Sequence, residues 1–195
     1  MPNFDLRYIQ IAEYNNNSGT TSYTNKTAIG DAMSVDIQMR YAEGRVYAES
    51  TLAEYMRKAT GGSISIAEKY IPDAAQMIMY GSKEKTRTLS GSKTVKSLVS
   101  GSTNVAKYVG TSFYAPDMVD GVEKYTCCFV YRALFGAPNL TYRTMGDNIQ
   151  FNTPTTTGEF LADHSSDKNL IEVAVCDTEA DAKAWCDLVL GGTGT

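Results

Sequence analysis

A chain of 195 residues, 43% hydrophobic and 21% charged, buries roughly 70% of its unfolded surface on folding and needs no metal or disulfide staple. Its net charge of −4 argues against a protein that grips nucleic-acid phosphates, which takes a basic footprint, but leaves room for nucleic acid that slides past without adhering. No apolar stretch reaches the roughly 20 residues that span a bilayer, and Met1-Pro2-Asn3-Phe4-Asp5 lacks the basic and apolar regions of a secretory signal. The expectation is a chain made and kept in the cytosol, and thirteen Tyr against one Trp, with frequent Thr, Ser, Val and Ile, favour β-structure.

In chain order, residues 4–13 hold a short strand through Leu6, Tyr8 and Ile9. Asn15-Asn16-Asn17-Ser18-Gly19 and the Ser/Thr/Asn run to Thr27 read as a polar loop or flexible arm over residues 14–27. Residues 32–41 alternate strictly: Met33, Val35, Ile37, Met39 and Tyr41 are apolar, whereas Ser34, Asp36, Gln38 and Arg40 are polar. A period of two puts the sets on opposite faces of one strand. Glu43-Gly44 supplies a turn and residues 45–50 return, which predicts a long β-hairpin with one dry and one wet face.

After residues 51–58, Gly61-Gly62 introduces a short strand over 63–68, with Ile64 and Ile66 on one side. Pro72 opens a short helix as a first-turn proline, and Gly81 is placed to cap it. Residues 82–104 read as a long exposed loop, partly extended, carrying the one basic cluster: Lys83, Lys85, Arg87, Lys93 and Lys96. A solvated loop accounts for that cluster better than a nucleic-acid site.

Strands resume over 106–114, turn through Asp120-Gly121 and return over 123–135, where Phe129 to Phe135 is apolar on both faces apart from Arg132. That is the pattern of a central buried strand. A pair over 141–144 and 148–152 follows, joined at Gly146-Asp147, then short strands over 158–162 and 170–175. Thr178-Glu179-Ala180-Asp181 resembles a capping box with Asp in place of Glu, and opens a helix over about 179–190 that Gly191 stops. The sum is one domain, 1–195: mainly β, a two-sheet β-sandwich or barrel with one or two flanking short α-helices.

Little in the chain points to catalysis. Cys127, Cys128, Cys176 and Cys186 form no CxxC pair. Cys127 and Cys128 point to opposite faces of a strand, so buried free thiols are expected. The lone histidine, His164, lies in Ala162-Asp163-His164-Ser165-Ser166-Asp167, but triad members meet across a fold and seldom along neighbouring residues. Phosphate-loop, dinucleotide, zinc-protease and calcium-loop patterns do not occur. No catalytic, metal or cofactor site is expected.

Several phrases, in one order, resemble a known family. They are Ala32-Met33-Ser34-Val35-Asp36, Tyr41-Ala42-Glu43-Gly44-Arg45-Val46-Tyr47-Ala48 and Lys58-Ala59-Thr60-Gly61-Gly62-Ser63-Ile64-Ser65-Ile66. Later come Ala106-Lys107-Tyr108-Val109-Gly110-Thr111, Asp120-Gly121-Val122-Glu123-Lys124-Tyr125, Thr144-Met145-Gly146-Asp147-Asn148-Ile149-Gln150-Phe151 and Glu179-Ala180-Asp181-Ala182-Lys183-Ala184-Trp185. Over roughly residues 28–190 the chain resembles the major tail (tail tube) proteins of long-tailed, siphovirus-type bacteriophages.

The resemblance implies a structural virion protein that closes hexameric rings, stacked into the conduit for DNA ejection and assembled in the bacterial cytoplasm. It implies as partners other copies of the chain, a tape measure protein, a tail terminator and a distal tail protein, with phage DNA passing unbound. Ser34, Asp36, Gln38 and Arg40 are the candidate lumen or inter-subunit face, the plain alternative being that they face solvent. The lumen is expected to be electronegative, and segments 14–27 and 82–104 to order on assembly. The alternative function is a β-sandwich receptor- or carbohydrate-binding module of a virion.

Overall fold

The computed structural model describes residues 5–48, 51–139, 142, 144 and 153–192. Strands β1 (Arg7–Asn17) and β2 (Thr20–Ala28) form an antiparallel hairpin. Its two-residue turn is Ser18-Gly19, both at positive φ, as a tight hairpin turn requires. Residues 14–27, expected as a polar loop, are therefore strand. Tyr23 holds them there: its hydroxyl donates to the Tyr131 carbonyl at 2.9 Å and its ring meets Phe129 edge-on.

Strands β3 (Ala32–Ala48) and β4 (Thr51–Glu68) pair along their whole length. The turn expected at Glu43-Gly44 does not form there, since Gly44 sits mid-strand opposite Met56. Gly61-Gly62 likewise lies inside β4 rather than ahead of it. A Cβ on Gly62 would press on the Gln38 carbonyl and lie 2.5 Å from Phe160 Cζ, so only glycine lets β4 run this close between its neighbours.

The rest of the chain gives α1 (Asp73–Met79), β5 (Lys83–Thr88), β6 (Thr94–Val99), β7 (Val109–Val119), β8 (Val122–Phe135), β9 (Thr155–Phe160), β10 (Ile171–Cys176) and α2 (Glu179–Val189). Residues 82–104, expected as a partly extended loop, contain the regular β5–β6 hairpin, with every β5 side chain exposed. Asp120-Gly121 makes the predicted turn, both residues at positive φ. The pair expected over 141–144 and 148–152 falls almost wholly outside the described residues.

Antiparallel strands run in the order β2-β1-β7-β8-β9-β4-β3, with β10 branching from β8. The branch arises because β8 is long: Tyr125–Val130 pairs with β10, and Ala133–Phe135 pairs with β9. The path folds there into two layers, a β-sandwich. Ile9, Ile11, Val109 and Val130 of one layer close on Ile64, Ile66 and Phe160 of the other, and Ala75 and Met79 of α1 join that core. The protein is thus mainly β with two short flanking helices.

Helix α2 covers the outer face of the first layer, where Tyr114, Cys127, Ala182 and Cys186 pack together. Its start is fixed by Thr178, whose hydroxyl accepts the Asp181 amide at 3.1 Å, the capping contact read from the sequence. The Tyr114 hydroxyl donates to Glu179 at 2.6 Å and that of Tyr8 to Asp187 at 3.0 Å. All four cysteines are free thiols, with Cys127 on the α2 side. Contact with Cys186 and burial push the Cys127 thiol up.

One core residue breaks the apolar rule. Glu68 is fully buried, and neither carboxyl oxygen has a partner among the described residues. Burial pushes its pKa up to about 8, from 4.5, so the group is protonated at neutral pH. A folded pKa above the unfolded one adds stability that is complete below about pH 4.5 and is lost as pH rises through about 8. Glu68→Gln should be the more stable form above about pH 8, by on the order of a few kcal/mol, the two converging in acid. Urea denaturation at acid, neutral and alkaline pH checks this, and a pH-independent difference would contradict it.

Candidate assembly surface on the longest hairpin

The sandwich positions one long polar wall. On β3, Ser34, Asp36, Gln38 and Arg40 are all exposed, while Val35, Ile37 and Met39 between them pack on the core. The predicted alternation holds from Ser34 to Arg40, whereas Met33 and Tyr41, expected on the dry face, are exposed. Register carries the wall across the sheet, so that Asp36, Ser65 and Thr157 form one row and Gln38, Ser63 and Glu159 the next. Gln38 donates to Asp36 at 3.2 Å, and Arg40 reaches Glu159 at 3.0 Å. The four predicted residues therefore lie together on one exposed face. Sequence reading missed its outer members, Thr157 and Glu159, which register alone brings alongside. Two carboxylates against one guanidinium, among short hydroxyls, make it hydrophilic and faintly negative.

Beyond that wall the hairpin loses its support. Strand β9 pairs with β4 only over Gly62–Ala67. Further out, residues 41–47 and 53–58 are all exposed, with no third strand beside them among the described residues. At about 3.3 Å per residue, β3 from Tyr41 to Ala48 projects roughly 25 Å. Among the described residues, both backbone edges of this ribbon are open, as are the free edges of β2 and β10.

The ribbon's two faces differ in chemistry. On one, the Arg57 guanidinium stacks over Tyr41 at 3.7 Å and Arg45 lies over Tyr55 at 5.5 Å. Glu43 sits between those arginines, at 3.4 Å from Arg45 and 3.5 Å from Arg57. The other face is Ala42, Gly44 and Val46 opposite Lys58, Met56 and Glu54, where Met56 is 74% exposed. Exposed cation–π pairs contribute about 0.5–1 kcal/mol each, and an isolated two-stranded ribbon is marginal in water. The ribbon keeps its shape yet leaves apolar surface uncovered.

The other sequence candidates do not assemble into a reactive site. His164 Nδ1 lies 2.9 Å from the Tyr14 hydroxyl, while the Ser165 hydroxyl donates instead to Asp163 at 2.8 Å. Ser165 and Asp163 thus bond to each other and His164 to Tyr14, and no Ser–His hydrogen bond forms among the described residues. Among the described residues no group of three or more His, Cys, Asp or Glu is placed to hold a metal ion. Among the described residues no helix is long and apolar enough to cross a membrane. No protein-family model matches the chain, and no curated protein matches it.

Gly62→Ala should destabilise the fold by about 1–3 kcal/mol, because Phe160 and β3 must move to admit the methyl group. Arg57→Ala, on the bare ribbon, should cost no more than about 1 kcal/mol. Chemical denaturation of the two variants side by side reads the contrast, and equal losses would contradict this account of the sheet.

Proposed function

We propose that the chain is a structural tube protein of the phage-tail type, whose copies close rings that stack into a conduit for DNA. The observation that carries this reading is the bare ribbon of residues 41–48 and 51–59, rooted in a stable sandwich, with both backbone edges open among the described residues and Val46 and Met56 exposed on one face. An exposed flat strand edge is a template for pairing with another chain. A contact that closes by rotation makes a ring, and a second along the axis makes an open stack.

In such a ring the wall of Ser34, Asp36, Gln38 and Arg40, widened by Ser63, Ser65, Thr157 and Glu159, lines the bore. Short hydroxyls and a slight negative excess suit a surface over which DNA passes, since phosphate is repelled and few donors hold it. Tail completion then calls for a tape measure protein inside the tube, with a terminator and a distal tail protein at its ends. The product is a phage tail assembled in the host cytoplasm, and the chain performs no catalysis.

A second reading, a receptor- or carbohydrate-binding module, draws on exposed Tyr41, Tyr47 and Tyr55. Two of these rings already carry arginines and stand on a ribbon rather than in a concave cluster, which favours assembly.

Negative-stain microscopy of concentrated protein should show annular or tubular particles, absent when residues 41–59 are replaced by a short turn. The shortened protein should still melt cooperatively, because the sandwich core lies outside that segment. Monodisperse single copies at every concentration, in lysate as in buffer, would refute the reading.

A further inference from the structure

The β5–β6 ribbon stands apart from the main sheet. It is rooted by the Ser82 and Ser100 hydroxyls, 3.0 Å apart, and by the Asn104 amide donating to the Val99 carbonyl at 3.1 Å. Among the described residues, no other element of its own chain packs extensively on it. Register sorts it into two faces. On one, Lys83, Lys85 and Arg87 lie opposite Val99, Ser97 and Val95. On the other, Glu84 pairs with Lys96 at 3.0 Å.

The first face therefore holds three cations with no ion-pair partner among the described residues, beside two exposed valines. Segment 83–99 carries five cations and one carboxylate, a net +4. In a chain of net −4, this leaves −8 on the remainder. A basic and apolar ribbon that its own body does not use fits an acidic and apolar surface elsewhere.

Such a surface lies on the inner face of the first layer, where the second layer stops covering it. Phe113, Cys128 and Val173 share one cross-strand row, Ala115, Thr126 and Val175 the next, and Asp117 and Lys124 a third. Val173 and Val175 are left 60% and 55% exposed. A cleft of about 420 Å³ opens beside Phe113 and Ala115.

Asp117 is 3% exposed. Its Oδ2 accepts the Thr126 hydroxyl, while Oδ1 has no partner among the described residues. Lys124, directly opposite, turns instead to Asp177 at 2.5 Å. Asp177 and, at the tip of the β7–β8 turn, Asp120 are the acids at its edge, whereas Glu123 lies on the opposite face and accepts the Tyr125 hydroxyl.

Resting on the polymerising function proposed above, we propose that the basic face of the β5–β6 ribbon of one copy docks on the exposed β8–β10 side of that face in a second copy. Val95 and Val99 meet Val173 and Val175, and the Lys83, Lys85 and Arg87 cations meet Asp120 and Asp177 at its edge. Both surfaces belong to every copy but differ from each other, so the contact is head-to-tail and propagates.

Two full-length variants test it, each first checked by thermal melting. One reverses the ribbon (Lys83→Glu, Lys85→Glu, Arg87→Glu) and the other the acids at the edge (Asp120→Lys, Asp177→Lys), with Asp117 untouched. By sedimentation velocity and negative-stain microscopy, each folded variant alone should need at least about tenfold more protein than wild type to assemble. The equimolar mixture should assemble near the wild-type threshold, because each reversed surface then meets its opposite.

Unchanged assembly of either variant alone, or a mixture no better than its components, overturns the docking and leaves wild-type polymerisation standing. A wild type that stays monomeric throughout overturns the function and the docking together. If wild type binds a fluorescent DNA duplex, and the ribbon-reversed protein loses that binding while assembling normally, the ribbon belongs to nucleic acid and the docking is overturned.

Discussion

Among the described residues, two strands of 17 and 18 residues have only a six-residue strand beside them, and this mismatch in length is what the molecule is organised around. Backbone amides and carbonyls must be paired or wetted. Where β9 runs alongside, the β3–β4 hairpin is part of a sheet with one face in the core. Past Gly61 it is a ribbon whose outer hydrogen-bonding groups face away from its own chain. The sandwich below supplies stability, and the ribbon above supplies unpaired edge. A second copy can satisfy that edge with main-chain bonds along its length, a cheap way to obtain affinity and register together.

Each layer of the sandwich also buries a carboxylate. Glu68 and Asp117 both sit in rows that begin with core residues: Ile64, Ile66, Glu68 on β4 and Phe113, Ala115, Asp117 on β7. Glu68 stands on the second layer's inner row, where burial keeps it protonated. Asp117 stands on the first layer's inner row, with one oxygen held by Thr126 and the other without a partner among the described residues. Both acids are closed away from solvent by the chain.

Much of this was legible in the sequence because period two is a strong signal. The alternation placed Ser34, Asp36, Gln38 and Arg40 together on one exposed face and Val35, Ile37 and Met39 against the core, while Met33 and Tyr41 at its ends are exposed. Asp120-Gly121 marked its turn and Thr178 its cap, each through one local backbone requirement. The errors share a cause. Gly44 was read as a turn because glycine usually breaks strands, yet nothing lies within 4 Å of where its Cβ would be, so an exposed ribbon tolerates it. The Asn/Ser/Thr run read as loop because its composition is polar. The strand is held instead by Tyr23 against Phe129, a contact more than 100 residues away in sequence. The ribbon's isolation depends on β9 being short, which no local pattern near residue 41 encodes. Glu68 and Asp117 were visible in principle, as carboxylates in phase with an apolar row.

The central claim, that the ribbon's edges are completed by other copies of the chain, is tested most directly by amide hydrogen exchange of residues 41–59 across a concentration series. In dilute, monomeric protein the outward-facing amides should exchange within seconds. In the sedimented, assembled fraction the same amides should slow by roughly a hundredfold or more, as in core strands. Exchange across 41–59 that is equally fast in both fractions would mean that assembly leaves the edges in water, and would contradict the account.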